Sequence, residues 1–153
     1  MGVVSSVDLL NFLRDSGYEK RTEGECHYLV EFFDCDEDER LNYTEFLSMV
    51  LPCDASKLRG EITQRPNYFV RREDFLSKNV ETELCKLVIK EIQMHNKIEK
   101  IKQELTLKYD YSTRDAYGCI DDFNLGWVDF ANLKLFLKKN GYIPSNKDLA
   151  AII

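Results

Sequence analysis

The chain has 153 residues, five of them cysteine, and a formal net charge of −6. That length can bury a real core, in one domain or in two small lobes, and an acidic balance without a basic stripe disfavours nucleic acid as a partner. Cys26, Cys35, Cys53, Cys85 and Cys119 are scattered without paired spacing and read as reduced thiols of a cytoplasmic protein. No apolar run reaches membrane-spanning length, and no secretory signal is visible.

In chain order, Met1-Gly2-Val3-Val4-Ser5-Ser6 fits the spacing of an N-myristoylation signal. The same residues have a second reading, because Gly2 to Tyr18 returns without a gap as Gly126 to Tyr142. Gly2, Val4, Leu9, Phe12, Leu13, Gly17 and Tyr18 reappear as Gly126, Val128, Leu133, Phe136, Leu137, Gly141 and Tyr142, and Asp8 as Asn132. Such a repeat is one supersecondary unit used twice. Thr22-Glu23-Gly24-Glu25 then reads as a capping box, opening a helix with Leu29, Val30, Phe32 and Phe33 on its apolar face. The stretch Asp34 to Glu45 follows, with oxygen-bearing side chains at its positions 1, 3, 5, 9 and 12, namely Asp34, Asp36, Asp38, Asn42 and Glu45. A hard cation that takes six to eight oxygens needs such a cluster, gathered from one tight turn and closed by a carboxylate on the following helix. Phe46, Leu47, Val50 and Leu51 give that helix its apolar side, and Pro52 stops it.

Pro52, Gly60 and Pro66 break regular structure between residues 52 and 79, a stretch made locally basic by Arg59, Arg65, Arg71 and Arg72. A short helix is expected near Ala55 to Thr63, then an extended piece at Arg65 to Val70. The segment reads as a solvated linker or as an arm that packs on a lobe or an acidic surface. Residues 80–109 form one long helix without Gly or Pro up to about Lys108. Val80, Leu84, Leu87, Glu91, Met94, Ile98, Ile101 and Leu105 set a heptad seam broken once, at Glu91. Cys85, Val88, Ile89 and Ile92 widen the apolar face in its first half. Such a helix serves as a strut, as a face for another protein, or as part of its own lobes' core. His27 and His95 read as ordinary helix residues. The last part, 110–153, holds a second loop, Asp121 to Asn132, which keeps carboxylates only at Asp121 and Asp129; Phe123 and Leu125 stand where oxygens would be needed. Leu133 to Lys139 is its exit helix, with Asn140-Gly141 as the stop.

The loop at Asp34 to Glu45 and the repeated loop-and-helix unit resemble the EF-hand superfamily in its calmodulin-like arrangement of paired hands. The resemblance covers residues 2–51 and about 112–153. It implies an all-α fold of EF-hand pairs with two short β-bridges: a first lobe at 1–51, a linker at 52–79, a long helix at 80–109 and a second lobe at 110–153. It implies one calcium site, with Asp34, Asp36, Asp38, the backbone carbonyl of Arg40, Asn42 and a bidentate Glu45 as the shell. Glu39 stands where the family carries Gly, since the loop turns there with a positive φ; a non-Gly residue in that conformation costs roughly 1–2 kcal/mol. The loop Asp121 to Asn132 is expected to keep the shape without calcium. In the same register Gly2 to Asp8 is the second half of a loop, with Val4 facing Leu41 as the bridge between loops. Residues 146–153 align with the entering helix 22–29, so that a fourth loop would begin just past Ile153. Each lobe is then incomplete at a chain end, as in a piece of a longer array. The proline-broken spacer is unlike calmodulin, whose lobes join directly. The layout is similar to EF-hand array proteins of protist cilia and cytoskeletons.

These features point to a calcium-binding structural or regulatory interaction module, cytoplasmic and associated with the cytoskeleton or the ciliary axoneme, whose partner is a protein: a helix or a surface such as tubulin. Two alternatives stand beside it. One is a myristoylated calcium sensor, which meets a membrane only if Gly2 is lipidated. The other is the regulatory fragment of a larger enzyme. The chain itself shows no nucleophile with a base, no phosphate-binding loop and no acid pair on a cleft, and is read as non-enzymatic.

Overall fold

A computed structural model describes residues 2–66 and 75–150. The described chain is mostly helical with one small two-stranded antiparallel sheet. The expected extended piece reaching Val70, the arginines Arg71 and Arg72, and the last residues of the C-terminal helix lie outside the described residues. The chain divides into two compact units, Met1–Pro52 with Lys57–Lys100, and Cys53–Ser56 with Ile101–Ile153.

The first unit begins with β1 (Val4–Ser5) and α1 (Ser6–Asp15). Ser5 caps α1, accepting from the Asp8 N–H at 3.3 Å, while the Asp8 carboxylate accepts from the Ser5 N–H at 2.9 Å. The Ser5 hydroxyl, which donates to the Asp8 carboxylate at 2.6 Å, and then the Ser5 N–H hold that carboxyl below the usual range. The helix ends at Gly17, whose φ of 90° is the left-handed stop that lets the Tyr18 N–H reach the Leu13 carbonyl at 2.9 Å. Thr22 and Glu25 form the capping box of α2 (Glu23–Phe33). β2 (Arg40–Leu41) pairs antiparallel with β1, Val4 opposite Leu41 and Ser5 opposite Arg40. The bridge read from the repeat is therefore present. α3 (Tyr43–Val50) follows and stops before Pro52, and α4 (Ser56–Thr63) matches the short helix expected after it.

The long helix, α5, runs Lys78–Thr106. The part that belongs to the first unit supplies Cys85, Val88, Ile89 and Ile92 to one core with Leu9, Leu10 and Leu13 of α1, Cys26, Leu29 and Val30 of α2, Leu41 of β2 and Met49 of α3. The buried stripe is thus Cys85, Val88, Ile92 and His95, one residue round from the expected seam, and seam residues Val80, Met94 and Ile98 stay exposed. Polar contacts at the edges fix the register: Ser16 Oγ donates to Glu81 at 3.3 Å, Asn96 Nδ2 to Glu25 at 3.3 Å, and the Tyr28 hydroxyl to Glu99 at 3.1 Å. His95 is a residue of this helix, as expected. It is buried, with the Phe32 ring centroid 4.1 Å away and the Glu91 carboxylate at 3.6 Å from Nε2. An apolar cleft of about 240 Å³ remains beside α1, lined by Val4, Asp8, Leu9, Phe12, Phe46, Leu84 and Val88.

In the second unit α6 (Thr113–Ile120), α7 (Phe130–Lys139) and α8 (Asn146–Ala150) follow one another. α7 starts three residues before the expected Leu133, because the Asp129 side chain caps it. It ends as α1 does: Gly141 has φ 82° and Tyr142 donates to Leu137 at 2.9 Å. The second β-bridge of the expected pair is absent among the described residues, since no strand there faces Val128. No described helix is long and apolar enough to cross a membrane.

The packing of α5 separates two neighbouring side chains. Ile92→Ala is expected to destabilise the protein by about 2–5 kcal/mol. Met94→Ala, at a position 49% exposed, should cost less than about 0.5 kcal/mol. Urea unfolding followed by circular dichroism checks this; equal costs would mean that the heptad seam, and not the Cys85–His95 stripe, holds the helix.

Candidate metal centre

The loop between α2 and α3 is built around Asp34. Its N–H closes α2 on the Val30 carbonyl at 2.9 Å. Its carboxylate folds back over the chain, accepting from the Asp38 N–H at 3.3 Å and from the Glu39 N–H at 2.7 Å. This turn requires Glu37 and Glu39 to take φ values of 60° and 63°. The positive φ expected at Glu39 is present, and Glu37 carries a second one that the sequence reading did not name. Both are non-glycine residues in a left-handed conformation, a local strain that the surrounding bonds must hold.

Asp34, Asp36 and Asp38 come together: one ligand oxygen from each lies within 4.8 Å of the others. Asp38 also accepts the Arg40 N–H at 2.9 Å. Glu45 closes the loop from the helix side. It is almost fully buried, with Oε1 accepting from the Cys35 N–H at 2.8 Å and Oε2 from the Asn42 N–H at 2.9 Å. Asn42 is divided between two tasks. Its Oδ1 caps α3, accepting from Thr44 and Glu45, and its Nδ2 reaches Asp36 at 3.4 Å. Arg40 lies in β2, with its side chain exposed. Of the six residues chosen from the sequence, the three aspartates converge, Glu45 sits over their loop, Asn42 is turned to the start of α3, and Arg40 is paired with Ser5 in the sheet.

The electrostatics follow from this crowding. Desolvation, then the charges of Asp38 and Glu45, raise the Asp36 carboxyl above the usual range, and the Asn42 amide offsets this only in part. Desolvation also pushes the Asp34 carboxyl upward, but the N–H groups of Glu39, Asp38 and Glu37 outweigh it and hold this carboxyl low. The donor set is all oxygen and anionic, from an irregular loop and a helix-borne carboxylate. It fits a hard, adaptable cation such as calcium better than zinc or copper, which favour nitrogen and sulfur donors.

The loop Asp121 to Asn132 has the same backbone plan. Asp121 accepts from the Leu125 N–H at 2.9 Å and the Gly126 N–H at 2.8 Å, and Asn124 and Gly126 have φ values of 52° and 79°. Asp129 Oδ1 caps α7, accepting from Ala131 and Asn132. Here the last residue is buried Asn132, whose Nδ2 donates to Asp121 Oδ1 at 3.2 Å. A neutral donor from the chain itself takes up the buried carboxylate that a cation would otherwise balance. Sequence reasoning counted carboxylates in this loop only at Asp121 and Asp129 and missed that Asn132 is a donor; the signal was Asn with Asp at the two ends of one loop. Among the described residues Phe123 and Leu125 of this loop are exposed. The chain matches no family model, no curated protein and no solved structure.

The opposite shifts of Asp34 and Asp36 set a pH dependence. A carboxyl held low adds stability that is lost as the pH falls through its depressed value. A carboxyl held high subtracts stability as the pH rises through and above the ordinary carboxylate range. Asp36→Asn should therefore unfold at higher urea than the parent in chelator at neutral pH, with the difference shrinking as the pH drops below that range. A pH-independent difference would show that Asp36 charge is not its source.

Proposed function

We propose that this chain is a calcium-binding interaction module of the EF-hand type, with its metal site at Asp34 to Glu45. The observation that carries the reading is the gathering of the Asp34, Asp36 and Asp38 oxygens within 4.8 Å in a loop closed by the buried Glu45 carboxylate. Calcium supplies the positive charge that three crowded carboxylates need, and it accepts six to eight oxygens in irregular geometry. Glu45 would turn both oxygens to the ion, and backbone and water oxygens would complete the shell. Because Glu45 stands on α3, whose Met49 lies in the same core as α5, occupancy bears on the packing of the whole first unit. The second loop is proposed as ion-free, with the Asn132 amide serving Asp121 from within.

Calorimetric titration with calcium, at physiological magnesium, tests this. One site is expected in the parent chain and none in Glu45→Gln. Left-handed Glu39 carries roughly 1–2 kcal/mol of strain shared between folding and binding, so Glu39→Gly should tighten the site by at most about tenfold. Silence up to about a millimolar, the weak end of such sites, or unchanged binding in Glu45→Gln, would remove the assignment.

The place of work is proposed as a cytoskeletal or ciliary assembly, on the likeness of the layout to array proteins of that setting. Pelleting with microtubules, in calcium and in chelator, is the check. Co-sedimentation in either condition supports that setting. Recovery of the whole protein in the supernatant in both conditions would remove it and leave the metal site standing.

A further inference from the structure

α5 carries two apolar stripes, and the fold uses one of them. Cys85, Val88, Ile89 and Ile92 lie in the core of the first unit. The other stripe is the heptad seam. Its earlier members Leu84 and Leu87 are half-buried, but Met94, Ile98, Ile101 and Leu105 are 41% to 55% exposed. These four follow one another at steps of four, three and four along one unbroken helix. That spacing keeps an apolar row against a second helix over several turns. Beyond Thr106 the N–H groups of Leu107 and Lys108 still bond back to Gln103 and Leu105, so the last turn carries Lys108. Two charges bound the row in the same steps, Glu91 three residues before Met94 and Lys108 three residues after Leu105.

We infer that this row is covered by the same row of a second copy of the chain, the two helices running antiparallel about a two-fold axis between Ile98 and Ile101. Charge complementarity selects that occupant and that register. With Ile98 opposite Ile101 of the second copy, Met94 meets Leu105 of the second copy and Glu91 meets Lys108 of the second copy, each twice by symmetry. Beside the row, Lys97 comes next to Glu104 of the second copy, again twice; both side chains are exposed. Sliding the pair by one heptad destroys the match. One direction sets Glu91 against Ile101 and Lys97 against its own copy; the other sets Ile98 against Lys108 and Glu104 against its own copy. A parallel pair sets Glu91 against its own copy and Lys97 beside Lys102. Of these arrangements only the first joins opposite charges at both places. The inference is independent of whether the first loop binds a metal.

The full chain, followed by sedimentation equilibrium from about 1 µM to about 1 mM, is expected to pass from monomer to dimer. Glu91 lies 3.6 Å from His95 of its own helix, so the charge test is placed at the exposed pair instead. Lys97→Glu sets like charges together at two places and should weaken dimerisation about tenfold, with unchanged helical circular dichroism. Adding Glu104→Lys to Lys97→Glu exchanges the two charges and should return the affinity to within about threefold of the parent. Ile101→Asn, at an exposed position next to the axis, should weaken the dimer in the parent and in the exchanged chain alike. In a parallel pair Lys97→Glu would strengthen association, because it would face Lys102. A monomer throughout overturns the proposal and leaves the row to the helix of a different protein. A dimer that Lys97→Glu leaves unchanged or strengthens, a loss that Glu104→Lys does not repair, or a dimer indifferent to Ile101→Asn overturns it as well.

Discussion

A carboxylate at the end of a helix, folded back over the N–H groups four and five residues further on, turns the chain in both units. Asp34 does this to Asp38 and Glu39, and Asp121 does it to Leu125 and Gly126. The bond satisfies amides that have left the helix ladder and fixes the direction in which the next helix departs. Everything downstream depends on that direction. It brings Asp36 and Asp38 beside Asp34, places Leu41 opposite Val4, and starts α3 and α7 where the side chains of Asn42 and Asp129 can cap them.

The two loops show two answers to one electrostatic problem. A tight turn of this kind needs an anion at its first position, and that anion is then drawn out of water. In the second unit the buried Asp121 is answered by the Asn132 amide, a short neutral donor that needs nothing from outside. In the first unit the aspartates are multiplied instead, and Glu45, one methylene longer than an aspartate, reaches the Cys35 N–H across the loop. The result is a raised Asp36 carboxyl and two left-handed glutamates, Glu37 and Glu39, none of which helps the fold by itself. Local choices that oppose stability and gather oxygen donors are what the proposed metal site rests on.

Closure differs between the units in the same way. The first unit uses β2 and the first part of α5 to cover α1 and α2, and its core is continuous from Leu9 to Ile92. Among the described residues the second has the same loop-and-helix element without a covering strand, and Phe123, Trp127, Phe130 and Tyr142 stay on the surface. The repeat makes this difference visible, because matched residues are buried in one context and open in the other.

The sequence by itself determined the local punctuation. Thr22 with Glu25, the spacing of the aspartates, Asn42, the glycines at 17 and 141 and the proline at 52 each act through partners within about five residues, so their effect can be read from the string. It also determined the Val4–Leu41 bridge, because the repeat carried the register from one loop to the other. Only the tertiary structure decided which side of α5 is buried. Its seam and the stripe beside it are both apolar, and the choice is made by the surface of α1–α3 and by the contacts of Glu81, Asn96 and Glu99, which no periodicity contains. The same holds for His95, an unremarkable helix residue in the string and a buried ring against Phe32 in the fold. It holds for Asn132, whose amide meets Asp121 across the width of a loop. Burial and long-range pairing depend on two surfaces at once, and a sequence presents them one at a time.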